Sequence, residues 1–266
     1  MHLGISTACL YPMATEESLI RLLGRGFRLF EIFINTASEL EEGYYQKELC
    51  SRLKQAGALV TSIHPFTSAF ENMLLFSDYP RRTEDGLAFY RRYFEMAQQL
   101  GARYLVLHGQ RNYQKSRIPE EEYFARYARL FRLGKEEYGV ITAQENVAAF
   151  RSEKAAFIRK MRETLGEDCA FVLDIKQAVR AGEDPEEMRL AMGKNLVHVH
   201  LNDHTPGKDC LLPGKGTFCF ESFFRKLRDC GYQGDGVIEV YRGDFGPEEQ
   251  LNDAMDYLQA VGKGLL

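Results

Sequence analysis

Seven times along the chain an amphipathic, helix-like stretch runs into a glycine and then into a short, apolar, β-rich run. Gly26 precedes residues 28–34, Gly57 residues 59–63, Gly101 residues 104–107 and Gly139 residues 140–143. Gly166 precedes residues 170–173, Gly193 residues 196–199 and Gly231 residues 237–241. Glycine closes a helix well because it enters the left-handed region without steric cost. With residues 3–6 added, the pattern predicts eight strands in strict alternation with helices. Such alternation implies parallel pairing through right-handed crossovers. Helix starts are expected at Pro119, Asp184-Pro185 and Gly246-Pro247, with proline in the first helical position. Ser38 with Glu41 has the form of a capping box.

An eight-fold strand–helix alternation reads as an α/β protein, a (β/α)8 TIM barrel, with residues 1–266 as a single domain. The length agrees, since such barrels typically need about 250 residues. A doubly wound open sheet would want a glycine-rich phosphate loop after the first strand. Thr7-Ala8-Cys9-Leu10-Tyr11-Pro12 is not one. No linker or low-complexity stretch divides the chain.

Composition narrows the class. An apolar share of 45% with 27% charged residues is the profile of a soluble globular protein. The net charge of -4 argues against a general nucleic-acid binder. No run approaches the roughly 20 apolar residues of a membrane span, and residues 1–6 lack the basic flank of a signal peptide. The six cysteines are scattered without a Cys-x-x-Cys pair, so reduced thiols in a cytoplasmic protein are expected. Cys210, in a loop without a partner cysteine, is read outside any metal site. A homo-oligomer paired through the outer helices is left open.

In a barrel the active site lies at the C-terminal ends of the strands. The polar residues closing the strands are Glu31 and Asn35, His64, His108, Glu145-Asn146, Asp174, His200 and Glu239. Burying so many charges at one end is costly unless they are paired or hold a cation. With few lysines or arginines at those strand ends, a cation is the simpler neutraliser. His198 lies one layer deeper than His200 and is expected in the core. His204 is read as a loop residue and His2 as structural. Lys176, two residues after Asp174, is expected at the same mouth. It is read as ion-paired or solvated, as a ligand for a substrate phosphate or carboxylate, or as a Schiff-base former. Lys215 and Arg242 are weaker candidates for the anion-binding role. Phe33, Phe66 and Phe70 would form an apolar wall.

Four segments, in order, carry a resemblance: Gln144-Glu145-Asn146, Leu173-Asp174-x-x-Gln177, His198-Val199-His200-Leu201-Asn202-Asp203 and Val237-Ile238-Glu239-Val240. Leu212-Pro213-Gly214-Lys215-Gly216 adds a glycine-rich loop after the seventh strand. The chain thereby resembles, over essentially its whole length, the xylose-isomerase-like barrels. These include sugar-phosphate isomerases and epimerases and the three-zinc apurinic endonucleases. Matched residue by residue, the resemblance implies one divalent metal held by Glu145, Asp174, His200 and Glu239. Three oxygen donors and one imidazole suit Mn²⁺, Mg²⁺, Co²⁺ or Zn²⁺. It further implies an enzyme that isomerises or epimerises a ketose-type sugar or sugar phosphate. Glu145 and Glu239 would be the catalytic residues, moving a proton through a metal-stabilised enediolate.

The departures matter. Gln177 stands where the family commonly has histidine, and is expected to bind substrate as a neutral group. Asp209-Cys210-Leu211 has leucine where the endonucleases have a zinc ligand, so a three-zinc site is not expected. His64 and His108 match zinc-ligand positions of the endonucleases, but in the sugar enzymes such residues line the substrate pocket, the role expected here. The rival readings are an apurinic-endonuclease-like phosphodiesterase, an inosose-dehydratase-like lyase and a non-catalytic sugar-binding barrel.

Overall fold

The computed structural model describes residues 1–112 and 118–266. Its apolar runs form strands β1 (Leu3–Ser6), β2 (Leu29–Phe33), β3 (Leu59–His64), β4 (Tyr104–Leu107), β5 (Ile141–Glu145), β6 (Phe171–Asp174) and β7 (Leu196–Leu201). A small antiparallel hairpin follows, β8 (Asp203–Thr205) and β9 (Lys208–Leu211), and then β10 (Asp235–Ile238). β10 pairs in parallel with both β7 and β1, which closes eight parallel strands into a barrel. The expected (β/α)8 architecture is therefore observed, and the open sheet is excluded.

All seven junction glycines have positive φ, from 56° at Gly193 to 94° at Gly26. The outer helices bury one face each. In the helix Pro80–Leu100, Leu87, Tyr90, Phe94 and Ala97 recur at spacings of three and four and are buried. That spacing follows from 3.6 residues per turn. Each large side chain so buried contributes roughly 1.5–3 kcal/mol, so Phe94→Ala would cost about 3–5 kcal/mol. No helix among the described residues is long and apolar enough to cross a membrane. All six cysteines are free thiols.

Several local expectations are corrected. Ser38 and Glu41 form no capping box: residues Ala37–Leu40 make a 3-10 turn that no side chain caps, and the Ser38 hydroxyl lies 2.8 Å from that of Thr36. The following helix starts at Glu42 and passes through a π-turn, Tyr45–Cys50, before Ser51–Ala56. Pro185 is at the first helical position as expected, with Asp184 capping Glu186. Pro119 instead occupies the cap itself, and the last helix begins at Glu249, beyond Pro247. β7 ends at Leu201, and His204 belongs to the hairpin rather than to a loop.

Candidate metal centre

The barrel register sets the level of the site. Asp174 on β6 and Val237 on β10 are the Cα partners of His200 on β7. Side chains alternate along a strand, so Glu239 shares the face of Val237 one layer further on. Glu145 ends β5. The ligand atoms of Glu145, Asp174, His200 and Glu239 all lie within 4.8 Å of one another. Nδ1 of His200 is 3.3 Å from Glu145 Oε1, 3.5 Å from Asp174 Oδ2 and 3.3 Å from Glu239 Oε2. It has no hydrogen-bond partner, and it is buried.

Neighbouring groups fix each of these side chains. Asp174 caps the helix Ile175–Arg180, its Oδ1 accepting from the N–H of Gln177 (3.2 Å) and from Nδ2 of Asn202 (3.1 Å). That leaves Oδ2 to face His200. Asn146 binds the backbone of Asp174 through both ends of its amide, at 2.8 and 3.0 Å. On the far side of the imidazole, His200 Nε2 is 3.1 Å from Glu31 Oε2. The same carboxylate accepts from the Ser62 hydroxyl at 2.8 Å and lies 3.3 Å from His198 Nε2.

Electrostatics follow from this crowding. Burial pushes the Glu31 carboxyl upward, but the imidazoles of His200 and His198 outweigh it and hold it well below the usual range. Burial likewise opposes ionisation of Glu145, and His108, His200 and His64 overcome it, again leaving the group well below. Glu239 is lowered too: Lys176 and His200 outweigh its burial. Asp174 is raised, since there burial exceeds the attraction of Lys176. His200 is depressed by burial yet ends well above its ordinary value, because four carboxylates surround it. His198 is lowered by burial, as befits a core histidine.

Lys176 is neither solvated nor free. Its ammonium donates to both Asp174 Oδ2 and Glu239 Oε2, and its side chain is only 3% exposed. Burial lowers its pKa, but those carboxylates raise it well above the ordinary lysine value. Of the readings the sequence left open, the ion-paired one describes this arrangement.

His64 and His108 form a second cluster with Glu145. His108 Nε2 is 2.8 Å from Glu145 Oε2 and 3.1 Å from His64 Nε2. Gln177 lies at the rim, with Oε1 accepting the Ala148 N–H at 3.2 Å. Lys215 is exposed, and Arg242 donates to the carbonyls of Phe245 and Gly246 in its own loop. Neither joins the cluster. A cavity of about 320 Å³ opens beside Glu239, walled by Phe33, Phe66, Tyr11 and Tyr241. Phe70 lies instead on a separate, exposed apolar groove. A larger cavity of about 840 Å³ opens at the opposite end of the barrel, among Leu3, Leu29, Leu59, Arg103 and Asp235. None of the converging ligand atoms faces it, and that end of such barrels serves stability rather than chemistry.

Glu31 was visible in the sequence as a polar residue inside the apolar run Leu29-Phe30-Glu31-Ile32-Phe33, but nothing there gave it a partner. Ser62, which holds the Glu31 carboxylate, carried no signal.

An orphaned, buried imidazole nitrogen ringed by three carboxylate oxygens fits a divalent cation, and the donor set is that of a hard or borderline ion. Fold and donor set together define a (β/α)8 barrel with a carboxylate-rich cluster of candidate metal ligands at the C-terminal ends of its strands. The model of the xylose isomerase-like TIM barrel family matches residues 21–261, and the chain belongs to that family. An uncharacterised protein of Mycobacterium leprae (strain TN) is 25% identical over 268 residues, covering 90% of this chain and 89% of its own. An uncharacterised protein of Mycobacterium tuberculosis (strain ATCC 25618 / H37Rv) matches over the same shares. Among solved structures, a D-tagatose 3-epimerase-like protein superposes with a TM-score of 0.78 at 18% identity, covering 100% of both chains. D-psicose 3-epimerase with D-tagatose, from Clostridium cellulolyticum H10, gives 0.79 at 18%, covering 98% of this chain and 99% of its own. IolI protein with a binding zinc atom gives 0.73 at 17%, covering 100% and 98%. At these identities the likeness establishes the fold.

Proposed function

We propose that the protein is a divalent-metal-dependent isomerase or epimerase of a ketose-type sugar or sugar phosphate. The observation that carries this reading is the convergence of Glu145, Asp174, His200 and Glu239 from four strands around the unpartnered Nδ1 of His200. Those four residues would hold one ion, Mn²⁺, Mg²⁺, Co²⁺ or Zn²⁺. When bound, it supplies a Lewis acid for a carbonyl and its neighbouring hydroxyl. The sugar-epimerase neighbours support a small sugar as substrate.

The chain's own residues handle the proton. Glu145 ends β5 and Glu239 directly follows β10, with β6 and β7 between those strands in the barrel. They therefore approach a bound sugar from different sides. One carboxylate takes the carbon-bound proton, and the other returns a proton to the opposite face, which inverts that carbon. His64 and His108 stand beside Glu145, where they would meet a bound sugar, and Gln177 would offer it a neutral hydrogen-bonding group. Phe33 and Phe66 exclude water from one wall.

The test is a ketose panel incubated with metal-loaded protein in deuterated water. Exchange of a carbon-bound proton is expected, and it should be lost in Glu145→Gln and in Glu239→Gln. Protein that takes up no ion and catalyses no exchange would overturn the reading. A second reading draws on the His64–His108–Glu145 cluster, which could hold a further ion as a phosphodiesterase requires. It predicts more than one ion per chain and cleavage of an abasic oligonucleotide.

A further inference from the structure

We propose that Lys176 is an internal cation that occupies the metal's place between Asp174 and Glu239 and must be displaced for a metal to bind. The inference rests on the reading of Glu145, Asp174, His200 and Glu239 as a metal site. Lys176 follows Asp174 by two residues, in the first turn of the helix Ile175–Arg180. Its ammonium donates to Asp174 Oδ2 and Glu239 Oε2. These are the same two oxygens that face Nδ1 of His200, at 3.5 and 3.3 Å. The ammonium and a divalent ion therefore need the same atoms.

Asp174 has no alternative to offer. Its Oδ1 already accepts from Asn202 and from the Gln177 backbone. Sharing the two oxygens would bring an ammonium and a dication within a few ångströms in a buried site, where like charges repel strongly. The lysine therefore leaves when the ion arrives. Nζ already lies 5.6 Å from the ring centroid of Tyr241, which walls the cavity beside Glu239 and also carries the Arg180 guanidinium at 5.1 Å. An ammonium over an aromatic face is stabilised there.

Lys176 thus does two opposing things. In the metal-free protein it neutralises carboxylates that would otherwise repel one another, and it lowers the affinity of the site for metal by competing with it. Removing it should strengthen metal binding while weakening the metal-free fold. An ordinary structural lysine would weaken both states and leave affinity unchanged.

The experiment is chelator-competition titration of Mn²⁺ and Zn²⁺ into wild type, Lys176→Met and Lys176→Arg. Lys176→Met should bind each ion more tightly, on the order of 10- to 100-fold, the scale on which groups around metal ligands act. Its metal-free form should melt below metal-free wild type, and its loaded form should recover. Lys176→Arg, which keeps the cation, should show no tightening. A folded Lys176→Met with unchanged or weaker affinity overturns the inference and leaves the metal site standing. Absence of binding in both wild type and Lys176→Met overturns the metal site as well. Should Lys176→Met not fold, a crystal structure of Mn²⁺-loaded wild type decides. Nζ released from both carboxylates supports displacement, and Nζ still bonded to both refutes it.

Discussion

Nε2 of His200 lies 3.1 Å from Oε2 of Glu31, and this contact decides which nitrogen of the ring faces the other three carboxylates. With Nε2 engaged by Glu31, Nδ1 is left pointing at Glu145, Asp174 and Glu239. A carboxylate behind a metal-binding imidazole fixes its tautomer and raises its basicity. Glu31 is itself held by Ser62 and flanked by His198. Glu31→Gln keeps the shape and removes the charge. It should weaken divalent-metal affinity about 10- to 100-fold while circular dichroism stays native. Titration of the variant with Mn²⁺ or Zn²⁺ checks this, and unchanged affinity would show that Glu31 does not position His200.

The glycine-rich loop after the hairpin hangs on one side chain. Asp203 Oδ1 accepts from the N–H groups of His204 and Phe218, and Oδ2 from those of Gly214 and Gly216, at 2.8 to 3.0 Å. Both oxygens are thus fully used, so neither orientation of an amide can replace them. Asp203→Asn leaves two backbone donors facing an NH₂ group, at about 1–3 kcal/mol for each group left unsatisfied. The melting temperature should fall by several degrees at roughly 2–4 °C per kcal/mol for a chain of this size. Amide exchange should accelerate most in residues 212–218. Gly216→Ala should do the same by another route, because a Cβ there would collide with the His204 carbonyl and the Asp203 carboxylate.

The barrel was legible because its signals are local. Each junction glycine adopts the left-handed φ that its place after a helix demanded, and each apolar run became a strand. Glu145, Asp174 and His200 were legible for the same reason: each is a polar residue within or at the end of an apolar run, and the barrel sets strand ends side by side. What the sequence hid depends on distant partners. Lysine is almost never buried unless paired, and the burial of Lys176 required Glu239, 63 residues away. Glu31 and His200 are 169 residues apart. The hairpin β8–β9 is too short and polar to stand out from a loop, and Ser38–Glu41 failed as a cap because the chain turns there in a tighter 3-10 geometry.

His108 separates the one-ion and multi-ion readings. It touches Glu145 and His64 but none of Asp174, His200 or Glu239 within the first cluster. If it lines the sugar pocket, His108→Ala should raise KM for the sugar and leave the number of ions per chain unchanged. If it holds a second ion, the same variant should lose that ion. Elemental analysis of purified wild type and variant reads the difference directly.

Glu71 should give the protein a falling stability toward alkaline pH. Its carboxylate is buried, with Oε1 2.7 Å from the Tyr90 hydroxyl and Oε2 accepting the N–H of Gly109, next to His108. Burial outweighs those hydrogen bonds and pushes its pKa from 4.5 up to about 8. Between those values the unfolded chain has released the proton that the folded chain keeps. Stability therefore falls as pH rises through that window, by about 1.4 kcal/mol per pH unit at most. This contribution is fully present below pH 4.5 and lost once pH passes about 8. Glutamine mimics the protonated acid: its NH₂ can donate to Tyr90 and its oxygen can accept from Gly109. Glu71→Gln should match wild type near pH 5 and melt at a clearly higher temperature than wild type at pH 9. Melting curves of the two proteins that run parallel from pH 5 to pH 9 would show that Glu71 does not titrate in this range.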